Sequence, residues 1–303
     1  MYEDVKIRLA AFNWLTQQTD YHGDVLPREL LQQGFQFQDA HIPLLSPQGI
    51  FKPKLMELPL SITTSPNSPY DDHFDENNLL RYRYRGTNPY HRDNVGLRMA
   101  FERQRPLAYF HGIVPSRYLA VWPVFIVGDD PANLTFTVAV DDPGRMDLSP
   151  SGEMSVHDDS MARRAYITAI VRQRLHQRGF RERVLEAYRT QCAFCCLRHR
   201  ELLDAAHIIP DIEEAGVPEV RNGIALCKLH HAAYDRFLIG VTPDYVLKVR
   251  EDVRREKDGP ILLHGLQALH DQKILLPRSQ INWPDRDALD QRYGLFLETT
   301  ARG

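Results

Sequence analysis

Three stretches decide the fold of the C-terminal part of this chain: CAFCC (residues 192–196), LLDAAHIIP (202–210) and RNGIALCKLHHAAYD (221–235). Cys192 and Cys195 stand with two residues between them, and so do Cys227 and His230. Two such close pairs let separate passes of the chain meet at one ion. Three thiolates and one imidazole make the four-ligand set of a closed, tetrahedral structural zinc site. Cysteines can instead be small buried hydrophobes, but the doubled spacing argues against that reading. Cys196 competes with Cys195 for the first pair, and the two-residue spacing favours Cys195.

Working outward, residues 201–208 read as a strand, a polar turn holds Gly216 and Pro218, 224–226 form a short second strand and 228–237 a helix. Upstream, Phe180, Val184 and Tyr188 recur at helical spacing and lead straight into the cysteines. An arginine-rich helix precedes them, with Gly179 expected to interrupt it. Residues 241–303 read as a C-terminal extension of short strands and a final helix near 285–296.

This run resembles the HNH (ββα-metal) endonuclease family, in particular the branch written A-A-H-I-x-P, then N-G-x-x-L-C-x-x-H-H and a downstream Asp. That branch is common in bacterial restriction-type nucleases. The likeness covers roughly residues 180–240 and aligns His207 with the first His, Asn222 with the Asn and His231 with the last His. The zinc pairs bracket them as in zinc-containing members. The implied activity is metal-dependent hydrolysis of phosphodiester bonds in double-stranded DNA.

The chemistry can also be argued from the residues. Hydrolysis needs a water deprotonated near neutral pH and a cation to neutralise charge on the phosphate and leaving oxygen. A neutral His207 at a strand end suits the general base. His231, on the first turns of the facing helix, would bind Mg²⁺ or another divalent cation. Asn222 would orient the base or its loop, or touch the metal. Singly, each histidine more often has a core or surface role; together on this scaffold the functional reading prevails. One departure stands out, because many HNH enzymes carry Asp or His immediately before the base and here that residue is Ala206. Asp204, on the same strand face, and Asp235, one helical turn after His231, are the candidates to complete the cation's shell, as are water and phosphate. The competing reading makes each of them a cap, a surface charge or a salt-bridge partner.

Composition sets wider bounds. The formal net charge of −3 gives no global sign of a nucleic-acid partner, yet residues 161–190 hold eight arginines against two glutamates. No apolar run approaches the ~20 residues of a membrane span, and the first residues do not read as a secretory signal. The expectation is a cytoplasmic protein with no membrane partner. Clustered cysteines in a reducing compartment point to metal binding or redox chemistry and not to disulfides.

The expected fold class is α+β. Residues 1–142 read as a mixed domain on a mostly antiparallel sheet: a helix over 4–18, a short helix near 27–33, strands to residue 51, and apolar runs at 107–114, 118–127 and 134–140. The opening helix–helix–hairpin suggests a small winged-helix-like unit. A helix over 94–105 has Asp93 as its candidate cap. Residues 143–158 read as a linker and 159–303 as the endonuclease domain. The 70–138 region also resembles the N-terminal regions fused to this HNH branch, some of which are SRA- or PUA-like readers of modified bases. There Arg81, Arg83 and Arg85 alternate with Tyr82 and Tyr84. The arginines suit phosphates and guanine edges, and Tyr84 or Trp122 suits a base taken out of the stack. The competing reading packs the tyrosines inward. The whole is then a restriction-type, modification-dependent enzyme, which breaks both strands as a dimer or in two encounters. Its competitors are a nuclease effector gated by a protein or small ligand, and a zinc-stabilised DNA-binding protein without catalysis.

Overall fold

Val5, Ile7, Ala11, Phe12 and Leu15 turn one side of α1 (Tyr2–His22) inward, the helix expected over 4–18. The computed structural model describes residues 2–66, 73–76, 79–141, 147–148, 154–155, 161–210, 213, 216–257 and 259–301. The chain forms two units, 1–178 and 179–303.

In the first unit α1 is followed by β1 (Val25–Pro27), α2 (Arg28–Gln33) and the hairpin of β2 (Phe35–Phe37) with β3 (Ala40–Ile42). Next come β4 (Ile50–Phe51), β5 (Ser61–Thr64), β6 (His73–Phe74), β7 (Leu80–Arg83), α3 (Arg92–Glu102), β8 (Leu107–Val114), β9 (Arg117–Asp130) and β10 (Thr135–Val140). One sheet takes the order β4-β5-β8-β9-β10-β7-β6, with β1 added along β9. Among the described residues only the β5–β8 pairing is parallel, so the mostly antiparallel sheet expected from the sequence is the one that forms.

Successive side chains of a strand point to opposite faces, and here each face has its own core. Ala108, Phe110, Tyr118 and Ala120 pack with residues of α1, α2 and the β2–β3 hairpin. Leu107, Tyr109, Leu119 and Val121 pack with Leu97 of α3 and with Leu175. Burial on both faces explains the nearly continuous apolar run of β8 and β9. The helix–helix–hairpin segment is therefore a layer on this sheet and not a separate winged-helix unit. Arg8, fully buried, is held by Asp4 at 2.7 Å and by the carbonyls of Pro59 and Pro106 at 2.8 and 2.7 Å; a charge out of water needs such partners.

Two local expectations are corrected. The cap of α3 is His91, whose Nδ1 accepts from the Asp93 amide, because the Asp93 carboxylate is engaged by Arg85. Gly179 does not interrupt the arginine-rich helix. After β11 (Asp147–Leu148) and β12 (Met154–Ser155), α4 runs unbroken over Met161–Ala187. A glycine costs a helix only about 1 kcal/mol relative to alanine. The two units divide inside α4, between Arg178 and Gly179. The first part of α4 thus belongs with the N-terminal unit. Of the stretch read as a linker, β11 and β12 are the described part.

In the second unit β13 (Leu203–His207) and β14 (Gly223–Cys227) form an antiparallel pair in which His207 faces Gly223 and Leu203 faces Cys227. Helix α5 (Lys228–Asp235) follows without a break. Then come the hairpin of β15 (Ile239–Val241) and β16 (Leu247–Val249), the short helices α6 (Glu251–Arg255) and α7 (Pro260–Gly265), and α8 (Arg286–Ala301). Phe180, Val184 and Tyr188 join Leu203, Ala206, Ile224, Leu226, Tyr234 and Leu289 in one core. Asp285 accepts from the amides of Asp287 and Ala288 and so caps α8. Among the described residues no helix is long and apolar enough to cross a membrane.

Candidate active site

The chain leaves α4 through Arg189 and Thr190, both with positive φ, and enters a tight knuckle closed by hydrogen bonds from the Cys196 amide to the Cys192 carbonyl and from the Cys192 amide to the Leu197 carbonyl, each 2.9 Å. This turn presents Cys192 and Cys195. Cys227 ends β14, and His230 lies one helical turn on in α5. The four ligand atoms lie within 4.8 Å of one another. The Cys192 and Cys227 sulfurs approach His230 Nδ1 at 3.3 and 3.2 Å. The other ring nitrogen, Nε2, is 2.7 Å from the Gly265 carbonyl, which fixes the ring. Hydrogen bonds from Cys192 and Cys195 hold the Cys227 thiol far below its usual range. This is the arrangement of donors that binds a metal ion, and Cys196, exposed with φ of 60°, lies outside it.

Beside the knuckle, His207 ends β13 and its ring lies on that of Phe180, centroids 4.0 Å apart and planes 14° from parallel. Gly223, its partner on β14, has to be glycine: a Cβ there would come within 2.5 Å of Val184 Cγ2 and 2.8 Å of Phe180 Cζ. Asn222 is buried and binds the backbone just past the histidine. Its Oδ1 accepts from the Ile209 amide at 2.8 Å, and its Nδ2 donates to the Ile209 and Val217 carbonyls at 2.9 and 3.2 Å. Its own carbonyl accepts from Ile208. The carboxamide thus holds the loop after His207.

On the facing helix His231 Nε2 lies 3.2 Å from Asp235 Oδ2, and its Nδ1 lies 3.9 Å from Asp204 Oδ2. Asp204 is also engaged by Lys228 at 2.9 Å and by Arg181 at 3.4 Å. Burial would raise the Asp235 carboxyl, but the hydrogen bond with His231 and the charges of His231, Arg292 and His207 outweigh it and hold the group below its ordinary range. Asp235 therefore lies within the electrostatic reach of both histidines. Ala206, where many HNH enzymes have a ligand, is completely buried in the core.

A family model described as HNH endonuclease matches residues 192–242. That span holds all four clustered ligands together with His207, Asn222, His231 and Asp235. Residues 192–242 are an HNH endonuclease domain. The chain thus carries a nuclease domain, and the Cys/His cluster lies within it. Among solved structures it is similar to a modification-dependent TagI restriction endonuclease at 15% identity, over 78% of this chain and 81% of that chain, with a TM-score of 0.27. No curated protein matches the chain.

The candidate DNA contacts lie in the first unit, outside the HNH domain. In β7 Arg81 is half-buried, Tyr82 faces the core and Arg83 is exposed, and just past the strand Tyr84 also faces the core. Arg81 binds Asp75 at 3.2 Å and Thr137 at 2.9 Å, and Arg85 binds Asp93 and Gln48. Tyr84 stacks on Phe136 with centroids 4.5 Å apart, donates to Asp129 and accepts from Arg98. Burial and the bond to Asp129 push its hydroxyl up to about 12. Trp122 is half-buried and packs on the other core, beside Tyr118 and Ala120. Tyr84 and Trp122 thus belong to different faces of the sheet.

Two residues near the HNH site escape the sequence reading. Phe180 has an apolar helical signature, which indicates burial and not the ring it covers. Arg292, buried in α8, donates to the carbonyls of Ile208 and Tyr234 and to Asp235. Its position sixty residues past the motif leaves no local signal.

Proposed function

We propose that this protein is a metal-dependent, restriction-type DNA endonuclease in which His207 is the general base and His231, with Asp235, holds the catalytic cation. The observation that carries this reading is the placement of His207 at the end of β13 and of the His231–Asp235 pair, 3.2 Å apart, on α5, which packs against β13. The cluster of Cys192, Cys195, Cys227 and His230 suits zinc in chemistry and spacing, and its closed, four-donor form suits a structural ion.

Neutral His207 takes the proton from a water as that water attacks phosphorus and the bond to the leaving oxygen breaks. Phe180 and the Asn222 clamp keep the ring from turning away from that water. His231 and Asp235 offer a nitrogen and an oxygen 3.2 Å apart on a half-exposed surface, a donor pair suited to Mg²⁺ or a similar ion. When bound, such an ion neutralises charge on the phosphate and leaving oxygen. Asp204, already engaged by Lys228 and Arg181, serves more as a charge partner of this edge than as a first ligand. Residues 1–142 choose the DNA, with Arg81, Arg83 and Arg85 toward phosphates, and a modified base is the feature they select. Because one HNH domain cuts one strand, a double-strand break takes two copies or two successive encounters.

The test is nicking of supercoiled plasmid by purified protein with and without divalent ions. His207→Ala is expected to abolish nicking while zinc content and melting temperature stay near wild type. More than a few per cent of residual rate would remove His207 from the role of base.

A further inference from the structure

Three atoms from two sides of the HNH site meet one guanidinium that lies outside the matched domain. Arg292 sits on α8 between Leu289 and Phe296, both buried, and its own side chain is about nine-tenths buried. Nη1 donates to the Ile208 carbonyl at 3.2 Å, one residue past His207. Nη2 donates to the Tyr234 carbonyl at 3.2 Å and to Asp235 Oδ1 at 3.3 Å. The guanidinium also lies 4.0 Å above the Tyr234 ring and 5.2 Å from that of Phe237. Its Nε is buried without a hydrogen-bond partner among the described residues.

A buried cation is costly unless its partners are fixed, and this one has partners on both functional elements. It ties the end of β13, which carries His207, to the end of α5, which carries His231 and Asp235. The carboxylate is divided: Oδ1 goes to Arg292 and Oδ2 turns to His231. With Oδ1 anchored, the other oxygen and the imidazole nitrogen are set side by side. A planar fork can make these contacts together, whereas an ammonium is a single point of charge.

We propose that Arg292 is a positioning residue for the catalytic site, holding Asp235 in the orientation in which it and His231 bind a divalent cation. This rests on the proposed roles of His231 and Asp235, and the experiment separates the two ideas. Mn²⁺ binding to the full-length, zinc-loaded protein is followed by electron paramagnetic resonance without DNA, for wild type, Asp235→Asn, Arg292→Met, Arg292→Lys and the Asp235→Asn/Arg292→Met pair. Residues that orient metal ligands typically change affinity by about 10–100-fold. Arg292→Met is therefore expected to weaken Mn²⁺ binding at least about tenfold, Arg292→Lys less, and the double variant no more than Asp235→Asn alone. Plasmid nicking should recover in Arg292→Met at raised Mn²⁺. If Arg292→Met fails to fold, Arg292→Lys carries the comparison, because its retained charge keeps the site neutralised. Unchanged Mn²⁺ affinity in the folded Arg292 variants, with Asp235→Asn impaired, overturns the role of Arg292 alone. Unchanged affinity in Asp235→Asn overturns the metal assignment and this inference with it. Losses that simply add in the double variant show a general structural effect and overturn the inference as well.

Discussion

The imidazole of His207 lies flat against the ring of Phe180, 4.0 Å between centroids and 14° between planes. Tilting a stacked ring breaks that contact, so Phe180 fixes the plane in which the histidine nitrogens lie. Phe180→Leu keeps an apolar side chain and should cost about 1 kcal/mol of stability. Misplacing a base by a fraction of an ångström is more serious for rate, and a roughly ten- to hundredfold loss in kcat is expected with KM for DNA little changed. Steady-state nicking rates, with melting temperature measured alongside, check this. Full kcat in the leucine variant would show that the stack does not orient the base.

The sulfur and imidazole atoms of Cys192, Cys195, Cys227 and His230 already lie within 4.8 Å of one another. In such sites metal binding and folding free energy are largely the same quantity. Elemental analysis of active protein should find about one zinc per chain. Cys227→Ala should give poorly folded protein with zinc lost, whereas Cys196→Ser should retain zinc, activity and melting temperature. Folded, active protein with far less than one zinc would sink this assignment.

Asn222 satisfies both backbone groups of Ile209 with one carboxamide. Its replacement by alanine leaves a buried amide hydrogen and a carbonyl without partners, each costing about 1–3 kcal/mol. Urea denaturation of Asn222→Ala should therefore show a loss of at least about 2 kcal/mol, with nicking reduced further than stability alone explains, since the clamped residues adjoin His207. A variant with wild-type stability would refute the clamp.

Arg83 at the end of β7 and Tyr84 just past it should separate by role. Arg83 is exposed, and if it meets a phosphate Arg83→Ala should weaken DNA binding and lower the slope of log affinity against log salt by about one. Tyr84 is stacked on Phe136 and bonded to Asp129. Tyr84→Phe should cost about 1 kcal/mol of stability and leave preference among modified and unmodified duplexes unchanged. Competition binding at fixed salt, with circular dichroism of each variant, reads both. A Tyr84→Phe protein that lost its preference while fully folded would place that ring in base recognition after all.

Much of the HNH domain was written locally in the chain. The strand read at 201–208 forms as Leu203–His207, the one at 224–226 as Gly223–Cys227, and the helix at 228–237 as Lys228–Asp235. These elements are legible because ligand spacing, alternation and helical period all act over a few residues. The three long strands of the first unit were legible for the same reason. Caps and breaks were less so. His91 displaced Asp93 as the cap of α3 because Arg85, across the fold, engages the aspartate. Gly179 stayed helical because packing of the 27-residue helix outweighs one poor propensity.

The two ligand pairs, the strand carrying His207 and the helix carrying His231 were therefore settled along the chain, since each follows from spacing within one short segment. Tertiary structure alone decided what surrounds them. Phe180 reaches His207 because Gly223 lets α4 approach the sheet. Arg292 reaches Ile208 and Asp235 because Leu289 and Phe296 seat α8 on the core. Asp204 is drawn to Lys228 and Arg181 by their charges. These contacts depend on where distant elements pack, and burial then makes them strong, because a buried ring or guanidinium keeps the one partner that packing has given it.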